Sequence, residues 1–269
     1  MIIEVHDYGV SPSFRNLSAE IYKNVSKDMK GFPPKCDLHL CRDTVGFLRL
    51  QQIQINKLAQ KIGSPVLPIL MSLGVSTTLL FKYPETHLEE NYIKSYVESL
   101  EELEGLIAHE VGKASYLFKN KMLSFSGKLT SSLKDCIYLM KSDYEAENNA
   151  VETGYHSGIL AKQIGQLNSW KKEEEIIDYS AFCSQIKLVA EHAAFMQSDK
   201  PPKQQKELIG RLWNEYSGTR EFEASLRLLQ SKELRESPER FGDEKFLEDF
   251  LIEKHRGWGF CNCSPDYGS

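Results

Sequence analysis

The chain has 269 residues, of which 41% are apolar and 26% charged, with a formal net charge of -5 at pH 7. That length and balance allow a real core without disulfide staples and exclude a disordered chain. The acidic excess gives no bulk attraction to nucleic acid or anionic membranes, so neither is an expected partner.

The opening MIIEVHDYGV lacks the basic and apolar regions of a secretory signal. The longest apolar stretch, Val66 to Phe81, is broken by Pro68, Ser72 and Gly74 and is too polar to span a bilayer. With six cysteines and no export signal, a cytoplasmic protein with reduced thiols is expected.

In chain order, the periodicity predicts helices nearly everywhere. Leu38, Cys41, Val45, Leu48, Ile55 and Ile62 recur at three- and four-residue steps and predict a helix over Asp37–Lys61, stopped by Gly63 and Pro65. Ile69–Tyr83 is read as a buried helix, although VSTTLLF also suits a strand; only IIEV near the start competes as a second strand. Thr86 with Glu89 forms a capping-box pattern ahead of a long helix from Tyr92 to Met122, bent at Gly105 and Gly112. A helix follows over Leu129–Lys141, and Ser142 with Glu145 caps another that runs through Leu167. Asp178 or Ser180 caps the next, through Phe195 and Met196. Pro201-Pro202 separates it from Gln204–Leu229, and a helix entered at Ser237-Pro238-Glu239 ends near His255. The expected fold class is all-α, a bundle of about seven to nine helices. Residues 1–255 form its single domain, with a subdivision point near 200, and residues 256–269 form a flexible cysteine-containing tail.

Cys36-x-x-His39-x-Cys41 has the residue types of a metal knuckle, which Cys261, Cys263 or His255 would have to complete. Cys41 also lies on the apolar stripe, so the four cysteines are not expected to hold zinc jointly. The sequence IAHEVGKA around His109 fails as a zincin motif because Lys113 stands where the second histidine is required. Gly112-Lys113 reverses the order a histidine phosphotransfer module would need. Walker, dinucleotide-fold and nucleophile-elbow patterns are absent.

Three predicted helices place a histidine among small residues: His109, His156 and His192. Acidic side chains accompany them at Glu110, Glu152 and Glu191. A bundle that gathers carboxylates and imidazoles resembles ferritin-like di-iron proteins in architecture, without their Glu-x-x-His signature. These six residues are the candidate metal ligands, for iron or zinc. His192, between Leu188 and Phe195 at helical spacing, is also expected to be a buried structural histidine. The function expected is a helical binding or regulatory protein presenting a groove to a protein or small ligand. The alternative is a metal- or cofactor-binding bundle enzyme using His109, His156 and His192.

Overall fold

Four segments pair into a sheet, and this overturns the all-α expectation: the protein is mixed α/β. The computed structural model describes residues 1–62, 76–80, 83–120, 131–170, 188, 190–217 and 245. The first part of the chain runs β1 (Ile2–Tyr8), α1 (Pro12–Asp28), β2 (Lys35–Cys41), α2 (Thr44–Ile62), β3 (Ser76–Leu80) and β4 (Pro84–Glu89). The sheet order is β1-β2-β4-β3. β1, β2 and β4 are parallel, and β3 is antiparallel to β4 at the far edge. A helical layer follows: α3 (Glu90–Tyr96), α4 (Leu100–Asn120), α5 (Ser131–Ala150), α6 (His156–Trp170), α7 (190–197) and α8 (Lys203–Ser217).

The expected helix over Asp37–Lys61 is two elements. CDLHLC is not a first helical turn but strand β2. Its alternation sends Cys36, Leu38 and Leu40 to one face and Asp37, His39 and Cys41 to the other. VSTTLLF contains β3 rather than a helix. Thr86 is no cap either: it lies inside β4, and its hydroxyl meets that of Tyr22 at 2.9 Å. Glu89 itself caps α3, accepting the Tyr92 N–H at 3.0 Å. The long helix expected from Tyr92 to Met122 is α3 and α4, separate helices. Ser142 and Glu145 fall inside α5 instead of opening a helix. α5 passes into α6 through a π-helical turn, Val151–Tyr155, where Gly154 takes a φ of 110° that suits glycine alone. The helix starts expected at Asp178 or Ser180 and at Ser237-Pro238-Glu239, and the tail with Cys261 and Cys263, lie outside the described residues.

One core joins sheet and helices. Phe14, Tyr22 and Val25 of α1 and Ile107 and Val111 of α4 share it with Leu38, Leu40 and Leu88 of the strands. The Tyr22 hydroxyl lies 2.9 Å from Cys36 Sγ as well as from Thr86, tying α1 to two strands at once. The apolar face of the sheet is thereby closed by α1 and α4. Its other face carries charged and imidazole side chains.

Candidate site on the polar face of the sheet

The helical layer, where the sequence placed the metal ligands, brings two of the six together. His109 Nε2 is 3.8 Å from Glu191 Oε1. Neighbours that the sequence did not single out complete the cluster. His109 Nδ1 meets Glu147 Oε2 at 2.7 Å and its Nε2 meets Asp143 Oδ1 at 3.2 Å. Lys113 donates to Asp143 at 2.7 Å. Lys162 donates to Glu147 at 2.8 Å and to Glu191 at 2.9 Å, and the Gln163 amide donates to Glu147 at 2.9 Å.

All of these groups are buried. Burial and the Lys162 charge push His109 toward its neutral form, but Glu191, Asp143 and Glu147 outweigh them and lift its pKa to about 9. Lys162 is held charged and Glu147 ionised by the same contacts, so cationic and acidic groups interleave through the cluster. His109, Glu147 and Glu191 are close enough to share an ion. The Lys162 ammonium, bonded to both carboxylates, already supplies the cation there.

The other four candidates are apart from this cluster. Glu110 is buried on α4, where its charge bears on Tyr22. Glu152 accepts a hydrogen bond from the Ser198 hydroxyl. His156 Nδ1 pairs with Gln205 Oε1 at 2.9 Å. His192 is buried, as expected, and its ring lies 4.2 Å from that of Trp213. Each of the three histidines thus has its own set of neighbours.

Sequence reasoning missed the polar face of the sheet. Each parallel strand carries an acid-x-histidine triplet: Glu4-Val5-His6 on β1, Asp37-Leu38-His39 on β2 and Glu85-Thr86-His87 on β4. The register aligns all three. Glu4 pairs with Asp37, which pairs with Glu85; His6 pairs with His39, which pairs with His87. Side chains two apart on a strand share a face, so a row of acids runs beside a row of imidazoles.

The rings stack across the strands, with centroids 4.5 Å apart for His6 and His39 and 4.7 Å for His39 and His87. Exposure falls along the row. The His6 side chain is 40% exposed, His39 7% and His87 0%. Phe47 of α2 meets His87 edge-on and helps to close that end.

His39 Nε2 lies 3.6 Å from Glu85 Oε2, and His87 Nε2 lies 3.9 Å from the same oxygen. Tyr8 Oη is 3.1 Å from the other His39 nitrogen, Nδ1. Among the described residues neither ring nitrogen of His87 has a hydrogen-bond partner. Burial, with His39 beside it, lowers the His87 pKa to about 3, so its ring is neutral at pH 7. On the same face, His6 Nε2 is 3.6 Å from Asp37, while Lys35 reaches Glu4 at 2.8 Å and Asp37 at 3.7 Å.

Cys36 and His39 point to opposite faces of β2 and do not form a knuckle. Burial pushes the thiols of Cys36 and Cys41 up to about 12, Cys41 with help from Asp43 and Glu89, so neither is a ready thiolate.

Where the parallel strands end there is an open cleft of about 350 Å³, lined by Gly9, Ser11, Arg42, Glu90, Asn91 and Lys94 among others. The Glu90 carboxylate accepts from the Ser11 N–H at 2.8 Å and from the Ser11 hydroxyl, so it already serves as the anion at the start of α1. Among the described residues, no helix is long and apolar enough to cross a membrane. No protein-family model, curated protein or solved structure matches the chain.

Proposed function

We propose that the protein is a small-ligand-binding α/β protein whose site is the polar face of the parallel sheet, with the helical layer as its scaffold. The observation that carries this reading is His87. A buried imidazole whose two nitrogens have no hydrogen-bond partner among the described residues costs stability, roughly 1–3 kcal/mol. The ring's packing against His39 and Phe47 could be supplied by an apolar side chain, whereas a ligand that engages a ring nitrogen would offset the cost of burying it. The graded exposure from His6 to His87 gives such a ligand a way in. The cleft at the carboxyl ends of the strands is lined by none of these histidines, and it offers a second place of the kind where open α/β sheets generally bind ligands. The binding function expected from the sequence is thus kept, and its groove is moved from the helices to the sheet. The bundle-enzyme alternative has less support, because His109, His156 and His192 each have other partners and Lys162 already bonds the two carboxylates beside His109.

The test is the stability of the ligand-free protein. His87→Leu removes the unpartnered nitrogens, and it should raise stability by about 1–3 kcal/mol in urea unfolding, as expected where a site is kept at the expense of folding. A loss as large as that of a core truncation would make this face part of the folding scaffold and defeat the reading.

A further inference from the structure

We propose that His39 Nε2, Glu85 Oε2 and His87 Nε2 bind one divalent transition-metal ion of the zinc class, an inference that rests on the sheet-face reading above and names its ligand. The three atoms come from adjacent strands held by five paired positions between β2 and β4, so the backbone fixes their spacing before any ion arrives. All three lie within 4.8 Å of one another, with separations from the carboxylate oxygen of 3.6 and 3.9 Å. Tetrahedral bonds of 2.0–2.1 Å put ligand atoms about 3.4 Å apart, and the two separations from Glu85, 3.6 and 3.9 Å, are close to that spacing.

The neighbouring groups differ in one respect that decides among them. The Structure holds three clusters of metal-ligand types among the described residues: His39, Glu85 and His87; Glu4, His6 and Asp37; and His109, Glu147 and Glu191. In the last, Lys162 bonds both carboxylates. In the second, Lys35 lies on both Glu4 and Asp37. Each has a lysine where an ion would sit. The first contains His87, buried and with neither nitrogen hydrogen-bonded among the described residues.

Tyr8 completes the arrangement. An imidazole that binds metal through Nε2 keeps its proton on Nδ1, and the Tyr8 oxygen is placed to accept that proton's hydrogen bond from His39. Two imidazoles and one carboxylate suit zinc, and the Irving–Williams order adds cobalt, nickel and copper as ions that the same donors would take in vitro. Three protein ligands leave a fourth position for water or a substrate oxygen, the arrangement of catalytic rather than structural zinc sites.

The experiment is calorimetric titration of the metal-stripped full chain with zinc, alongside cobalt(II) absorption as a spectroscopic signature. The expected result is one ion per chain, with affinity falling at least 100-fold in His87→Leu and in Glu85→Gln. Tyr8→Phe should weaken binding about 10–100-fold and keep the stoichiometry, as expected for a group that orients a ligand. Lys162→Met is not used, because it disturbs the scaffold; Lys35→Ala, which leaves the proposed ligands intact, should retain the site. If His87→Leu fails to fold, Glu85→Gln carries the same comparison. Absence of zinc and cobalt binding by the wild-type chain overturns the metal assignment; if His87→Leu is nonetheless stabilising, the sheet-face reading stands without it. Binding that persists unchanged in both ligand variants places the ion elsewhere and also overturns the assignment.

Discussion

Lys162 donates a hydrogen bond of 2.8 Å to Glu147 in an interior where both side chains are buried. Burial alone would strip the charge from Lys162, yet Glu147 and Glu191 raise its pKa above the ordinary lysine value. The partner responds in kind. Burial favours protonated Glu147, and Lys162 and His109 reverse that and hold it ionised.

Lys162→Met should therefore leave carboxylates buried without their cation and cost about 3–5 kcal/mol in urea unfolding. Lys203→Met is the control. Its side chain is 88% exposed and its pairing with Glu207 spans 3.6 Å, so the change should stay within about 0.5 kcal/mol. Equal small effects at both positions would show that water reaches the network.

The same cluster sets an alkaline limit. His109 has a folded pKa of about 9, raised from 6.5, so its contribution to stability is complete below pH 6.5 and is lost as the pH climbs through 9. The loss is about 3 kcal/mol. The groups around it are Asp143, Glu147, Glu191, Lys113 and Lys162, and Lys162, whose pKa is raised above the ordinary lysine value, remains charged across that window. Stability measured from pH 6 to 10 should fall in the wild type, and His109→Gln should flatten the fall. An identical slope in the variant would assign the alkaline loss to another group.

What the sequence made legible depended on the range of each signal. The helices α4 and α8 follow from apolar residues at 3.6-residue spacing, and the small residues near His109 and His156 do mark close helix crossings. β2 was misread because Leu38 and Cys41 fit a three-residue step as well as the two-residue alternation of Cys36, Leu38 and Leu40 fits a strand. Without β2 as a parallel neighbour nothing local marks β4 as a strand, and Thr86 with Glu89 matches a capping box. The triplets ending at His6, His39 and His87 were present as a thrice-repeated acid-x-histidine pattern, which would have pointed to one face of a sheet. Nothing local marked Lys162: its role depends on Glu147 and Glu191, 15 and 29 residues away, which only tertiary packing brings to it.

His192 was expected to be a buried structural residue, and its ring packs against Trp213 of α8 with a centroid separation of 4.2 Å. His192→Ala should open a cavity between α7 and α8 and cost about 2–4 kcal/mol in thermal or urea unfolding. Metal content should not change, since His192 contributes no donor to the proposed ion. Wild-type stability accompanied by lost metal would reverse its role.

Gly105 and Gly210 give the sharpest contrast in the helical layer, because both are helical glycines and propensity alone treats them alike. Replacing a mid-helix glycine with alanine favours the helix by up to about 1 kcal/mol. At Gly210 an added Cβ meets nothing within 4 Å, so Gly210→Ala should gain most of that amount. At Gly105 the added Cβ would overlap the carbonyl of Gly158 and lie 2.8 Å from the Ile159 nitrogen. Those are backbone atoms of α6 and cannot turn aside as a side chain would. α4 and α6 would have to separate, and that separation would loosen the packing around His109 and Lys162. Gly105→Ala should then lose more than about 3 kcal/mol despite the helix-propensity gain, as overpacking against a rigid neighbour does. The two variants, compared by urea unfolding, should move in opposite directions; a gain at both would mean that α4 and α6 do not touch through their glycines.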